Sequence, residues 1–448
     1  MAHNLADLTE ALLAAARRAG ADQSDAIAVS ARSQSIDVLH GALEHAERSE
    51  GVDIGLRVFI GQRQACVSAS DINPATISEM AERAVAMARE APTDPYIGLA
   101  SADQLAKQWN VDALELADPS DEPSSAELQQ DALAAEAAAA AVKGVAQVQG
   151  SSAGYSASAI HLAASNGFSG GYQRTGRSTS CVAISGEGLT MERDYFGEHR
   201  IFQADLPDPA AIGRLAGERA VARRNPKRPP TGAFAVLYDE RVAASLIGHL
   251  LGAINGNSIV RGSSWLRDAL GQQVLPKGLS VIEDPFRVRV SGSRPFDAEG
   301  LPVAKRAIVD DGILTGWTLD LATGRQLDMP STGNATRGTS APPSPSAGNI
   351  ALTQSGKSHD DLLRDMGTGL LITSMIGSSV NPTTGDYSRG ASGFWVENGE
   401  VVHPVNECTV AGNLRDMLLT IEPANNARSH LVHVVPSLLV QGLTIAGA

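Results

Sequence analysis

Between Asp25 and Asp71 the chain reads DAIAVSARSQSIDVLHGALEHAERSEGVDIGLRVFIGQRQACVSASD, with apolar and polar residues alternating in short runs. A period of two belongs to half-buried strands, and Gly41, Gly51 and Gly61 fall where turns would be needed, so an antiparallel meander is expected. A helix should follow, because Ile77, Met80, Ala81, Ala84 and Met87 recur at helical spacing. A polar stretch then runs to Glu122 with the composition of a loop. SSAE (Ser124 to Glu127) is a capping-box pattern in front of LQQDALAAEAAAAAV, where the alanines signal high helix propensity. GVAQVQGSSAGYSASAIHLAASNGFSGGYQRTGRSTSCVAISGE is strand-like again, and another helix is expected around Pro209 to Arg224. Strand meander then helix, twice over, reads as an internal duplication.

In RRNPKRPPTG (Arg223 to Gly232), Pro226, Pro229 and Pro230 end any helix, and the charge run favours solvent. We therefore divide the chain into a first domain at 1–224, a linker at 225–231 and a second domain at 232–448. The basic cluster reads as cations complementing the negative end of a helix dipole rather than as an anion site. In the second half LTGWTLDLATGRQL, GLLITSMIG, GFWVENGEVVHPV and LVHVVPSLLVQGLTIAG read as strands. Asn398-Gly399 is a hairpin signal, since a type I′ turn needs two residues tolerant of positive φ. Asp310-Asp311-Gly312 reads as a similar turn rather than a calcium loop. KSHDDLLRDMG should be a short helix closed by Gly367. The class is α+β: an N-terminal antiparallel sheet with helices, and a β-rich C-terminal domain with antiparallel sheets.

At 448 residues the chain is too long for one ordinary core, and its 43% hydrophobic content supports folded domains. With a formal net charge of -14 it repels a phosphate backbone, so nucleic-acid binding is not expected. Cys66, Cys181 and Cys408 are scattered without C-x-x-C pairing, which fits a reducing compartment. The opening segment has no basic n-region, and Leu5, Leu8, Leu12 and Leu13 make it an amphipathic helix rather than a signal peptide. No run approaches the roughly 18 apolar residues that span a bilayer. A soluble, acidic, cytoplasmic protein without a membrane partner is expected.

NPTTGDYSRGASGFWVENGEVVHPVNECTVAGNLRDML (Asn381 to Leu418) leads small residues and glycines into an aromatic strand and hairpin. Such a stretch reads as a loop open to another backbone, with Tyr387, Ser388, Arg389 and Gly390 as candidate substrate-binding residues. The segment resembles the TldD/PmbA family of bacterial proteins, known as gyrase modulators and grouped with metalloproteases. RVAASLIGHLLGAINGNSIVRGSSWL, LPVAKRAIVDDGILTGWTLD and VPSLLVQGLTIAG share the resemblance, and the first half fits more loosely. One branch of that family carries H-E-x-x-x-H on a helix and resembles zinc proteases, two histidines holding the metal while Glu activates water. Here the motif falls on Ala244-Ser245-Leu246-Ile247-Gly248-His249. Ala244 replaces the first histidine and Ser245 the glutamate, and only His249 survives. The family's further cysteine ligand has no counterpart in ARSHLVHVVPSLL.

The resemblance therefore implies the PmbA (TldE) branch, with no catalytic residue and no metal ligand assigned in this chain. It further implies zinc in a TldD-like partner subunit, a heterodimer (or a homodimer when alone) and unfolded peptides as substrate. Two other readings stand beside it: a stand-alone non-zinc hydrolase, and a regulatory protein of the gyrase-modulator type. His430-x-x-His433 with His403 is a weak metal set, because residues three apart in a strand face opposite sides. Ser388, with Ser392 nearby, lacks a local base. GTSAPPSPSAGN lacks the spacing of a phosphate loop.

Overall fold

The first two strands, β1 (Gln23–Leu39) and β2 (Ala42–Ile60), form one long antiparallel hairpin. Its two-residue turn is His40-Gly41, with φ of 56° and 73°, as a type I′ turn requires. Gly61, at φ 56°, opens the next turn into β3 (Arg63–Ala69). Gly51 lies at no turn: it sits inside β2 opposite Ala31. Residues 42–51 are exposed on both faces, so no core face imposes alternation there and a glycine is tolerated. The structure, a computed structural model, describes residues 4–447, the side chain of Ser378 aside.

Helix α1 (Leu5–Ala19) precedes this meander and α2 (Pro74–Glu90) follows it, each capped by an asparagine side chain, Asn4 and Asn73. On α2 the buried stripe runs through Ile77, Met80, Ala81, Ala84, Val85 and Ala88. Met87 falls at its edge and is exposed. The plan then recurs: α3 (Ser125–Ala140), β4 (Val145–Ala164), β5 (Ser169–Ser185), β6 (Glu192–Arg200) and α4 (Pro209–Ala222). The six strands make one sheet in the order β3-β2-β1-β4-β5-β6. The equivalent strands β1 and β4 pair antiparallel at its centre, from Asp25 opposite Ala164 to Val38 opposite Ser151. Helix–three strands–helix occurs twice, related by a half-turn through that seam. Ser124 and Glu127 form the capping box expected of α3. Helix α4 meets α3 so closely that a Cβ on Gly213 would lie 1.8 Å from the Ala135 carbonyl oxygen.

The second half is built on β7 (Gly232–Tyr238), which leads into α5 (Glu240–Ala253), and on β8 (Gly369–Val380), β9 (Asp386–Glu397), β10 (Glu400–Asn413) and β11 (Leu438–Ala446). Hydrogen bonding runs β10-β9-β8-β7-β11, and β11 pairs again with β10. The ring is thus closed, which removes free edges. The β7–β8 pair is parallel, not antiparallel. Residues 239–368 lie between these two strands, so their connection is a crossover and not a hairpin. Asn398 and Gly399 take φ of 53° and 78° at the β9–β10 turn, and Asp311 and Gly312 take 46° and 85° at theirs. Of LTGWTLDLATGRQL only Leu314 belongs to a strand, and Leu321–Gln326 is a helical turn, because Asp320 and Thr323 form a capping box at its start.

The two halves pack on each other. Residues 91–124, loop-like as expected, cross to the second half, where Arg325 donates to the carbonyls of Tyr96, Gly98 and Leu99 at 2.7–3.1 Å. Asp25 is buried between Arg57 of its own sheet and Arg337 of the other half. Among the described residues no helix is long and apolar enough to cross a membrane.

Candidate substrate cleft

Helix α5 starts at Asp239, whose carboxylate accepts from the Arg241 amide, and buries Ala243, Leu246, Ile247 and Leu250. Val242, Ser245 and His249 recur at i, i+3 and i+7, so they share the flank beside that stripe. Ser245 Oγ donates to the Val242 carbonyl at 2.7 Å and lies 3.9 Å from Met375 Sδ. The Tyr387 hydroxyl lies 3.8 Å from the same sulfur. His249 stands edge-on to Tyr387, and its Nε2 is buried with no hydrogen bond among the described residues. Burial, and then the Arg389 guanidinium, lower the pKa of His249, so the ring is neutral at pH 7. Beneath them the buried Tyr238 hydroxyl titrates well above its ordinary value, through burial and then the neighbouring Tyr387.

The stretch read as a loop is strand β9, and this splits the four residues expected to bind substrate. In a strand, side chains alternate between faces. Tyr387 and Arg389 share the face toward α5, with Tyr387 2% exposed in the core and Arg389 reaching the cleft. Ser388 and Gly390 share the opposite face. Ser388 lies opposite Ser379 and Ala411 in the two neighbouring strands. Arg389 Nε donates to the Gly377 carbonyl at 2.7 Å.

The cleft has a volume of about 570 Å³ and lies between β6, the end of α4, the start of α5 and β8. Its lining includes Ser245, Met375 and six arginines: Arg193, Arg219, Arg223, Arg241, Arg389 and Arg428. Asp194 is the carboxylate in that lining, held at 3.6 Å by Arg223 and 3.5 Å by Arg241. Arg428 pairs with Glu198 at 3.2 Å and Glu240 at 2.8 Å. Arg223 also donates to Ser392 Oγ at 2.8 Å. The basic run after α4 is thus partly engaged inside the molecule, and Arg228 pairs with Glu407. Of these cleft residues the sequence pointed to Arg389 and Ser245. The other arginines come from four separate segments, and no spacing in the chain announces that they converge.

The residues at the degenerate motif do not fit a catalytic zinc. Ala244 offers a methyl and Ser245 a hydroxyl already tied to Val242, leaving one imidazole beside a guanidinium that repels a dication. Among the described residues no group of three or more His, Cys, Asp and Glu side chains is placed to hold one metal ion. His430 lies 3.2 Å from Glu198, His433 pairs in a short strand with Ile350, and His403 Nδ1 lies 3.1 Å from the Pro404 carbonyl oxygen. Cys408 is buried in β10, where burial pushes its thiol up to about 11.

Three family models match the chain, described as PmbA/TldA metallopeptidase domain 1 over residues 24–88, central domain over 118–224 and C-terminal domain over 231–447. The chain is similar to metalloprotease PmbA of Escherichia coli O157:H7, at 35% identity over 92% of this chain and 90% of that protein. Its fold is similar to a Bacteroides thetaiotaomicron structure described as a candidate modulator of DNA gyrase. There the TM-score is 0.91 and identity 24%, over 99% of this chain and 98% of that one. It is also similar to TldE from Thermococcus kodakarensis, with a TM-score of 0.85 and 19% identity over 98% of this chain and all 100% of that one. With all three domains matched along its length, the chain belongs to the PmbA/TldD family of metallopeptidases.

Proposed function

We propose that this chain is the substrate-docking subunit of a two-component metallopeptidase, with the zinc carried by a TldD-like partner. The observation that supports this reading most is Ser245. It stands where the family's zinc-bearing branch has its catalytic glutamate, yet it is capped onto its own helix and opens onto a cleft lined by hydrogen-bond donors. A carboxylate there would serve as general base to a metal-bound water, and a serine held this way cannot. What remains is a concave surface suited to hold a chain while chemistry is done elsewhere. Its lining includes the exposed apolar side chains of Tyr195 and Ile376, and such surface suits a second polypeptide. On this reading the substrate is an unstructured peptide and the working unit a heterodimer. A reducing, cytoplasmic setting fits the free thiols of Cys66, Cys181 and Cys408.

The test is zinc analysis and peptide turnover of the purified chain alone and mixed with a family member that carries H-E-x-x-x-H. Little zinc and negligible turnover alone, with chelator-sensitive turnover in the mixture above that of either chain, is the expected result. One equivalent of tightly held zinc in this chain by itself would contradict the proposal.

A further inference from the structure

We infer that the cleft selects acidic segments of its peptide substrate, with Arg193, Arg219 and Arg389 as the residues that read carboxylates. The inference rests on the docking role proposed above and adds the class of sequence that is docked.

Six guanidiniums line the cleft, and they fall into two groups. Arg223, Arg241 and Arg428 are spent on the wall itself, bound to Glu192, Asp194, Asp239, Glu198 and Glu240. Arg193, Arg219 and Arg389 have no carboxylate within ion-pair distance among the described residues, although the chain as a whole has 50 acidic residues to 36 basic ones. Arg219 lies over the Phe196 ring at 4.7 Å and donates to the Tyr195 carbonyl at 3.4 Å. Arg389 is fixed by its Nε bond to Gly377, which leaves its two terminal nitrogens for a ligand. Arg193 is exposed, while Arg219 and Arg389 are half-buried and make no direct ion pair among the described residues. A half-buried guanidinium without a direct partner is costly, and an arriving carboxylate relieves that cost by a charge-assisted, often bidentate bond.

The walls between these cations are apolar, formed by Phe196, Val242, Met375 and Ile376. Alternating cation and apolar wall suits a peptide with interspersed acidic and apolar side chains. A nucleic acid fits poorly, because its phosphates would meet the negative charge of the rest of the chain.

The experiment measures binding of three labelled unstructured peptides to the purified chain at low salt, identical except for Glu, Gln or Lys at the variable positions. The Glu peptide should bind about tenfold or more tighter than the Gln peptide, and the Lys peptide weakest. The Glu preference should shrink as salt rises. Arg193→Gln combined with Arg219→Gln should remove most of it, and Arg219→Lys alone should keep part of it. Equal affinity for Glu and Gln peptides would overturn the acidic selectivity and leave peptide docking standing. Binding of none of the three would overturn docking and selectivity together. The wild-type comparison decides the matter even if the double variant does not fold.

Discussion

The rings of His249 and Tyr387 meet edge to face, 5.8 Å between centroids and 73° between planes. This contact packs His249 against the flank of the core. Among the described residues nothing donates to or accepts from its Nε2, and burial and Arg389 both disfavour its charged form.

A pH dependence follows from that contact. In the folded chain the pKa of His249 lies below 6.5, the ordinary value it regains on unfolding. The unfolded chain therefore takes up a proton first, and this contribution to stability is lost as pH falls through 6.5. His249→Phe keeps the ring contact and removes the titration. It should match wild type within about 1 kcal/mol at pH 8 and gain on it by pH 5, measured by urea unfolding. A variant that loses ground on acidification would show that the imidazole has a partner.

Rebuilding the zinc motif should fail. Ala244→His with Ser245→Glu restores the sequence pattern, but at about 100° per residue positions 244 and 249 lie roughly 140° apart on a regular helix. Helix α5 runs unbroken through Gly248 to Ala253, so no distortion brings the two imidazoles together. Calorimetry should find only weak zinc binding by the double variant. Tight binding would mean that α5 bends and that a third ligand is already near.

Glu299 is held in the opposite sense. Burial, reinforced by Asp297, pushes its carboxyl from the ordinary 4.5 up to about 8, while one oxygen accepts from the Leu321 amide. Between those two pH values the unfolded chain has released a proton that the folded chain keeps, so stability falls as pH rises through the window. Glu299→Gln preserves the acceptor and should be more stable than wild type at pH 8, by on the order of 2 kcal/mol. Lower stability than wild type at pH 8 would place an ionised Glu299 in the fold.

Gly213→Val should unfold the first half. The added side chain would drive α4 off α3 at Ala135, where no flexible group can yield. A loss of about 3 kcal/mol or more is expected in thermal melts. A near-neutral effect would mean that the two helices separate at little cost.

Much of this architecture can be read in the chain because local rules and tertiary structure agree. The capping box at Ser124 and Glu127, the turns at Asn398-Gly399 and Asp311-Gly312, and the repeated meander-and-helix plan are all set by short-range chemistry. Gly51 misleads because an exposed strand needs no alternation to mark it. Tyr387 to Gly390 mislead for a related reason. Glycines at 385, 390 and 393 look like a loop, whereas Gly393 is required by close strand packing, its Cβ position falling 1.9 Å from the Leu371 carbonyl oxygen. The departure from H-E-x-x-x-H is local and legible at Ala244 and Ser245. The arginine lining is not, since β6, α4, α5, β9 and the segment around Arg428 meet only in the folded molecule.

The docking role is tested most directly at Arg389, by kcat/KM of the assembled pair on an unstructured peptide with this chain carrying Arg389→Ala. A loss on the order of 1.5–3 kcal/mol in kcat/KM is expected, with assembly and the melting temperature of the chain unchanged, and with Arg389→Lys recovering part of the rate. Unchanged kinetics in the Arg389→Ala pair would contradict the assignment of this cleft as the substrate-docking surface.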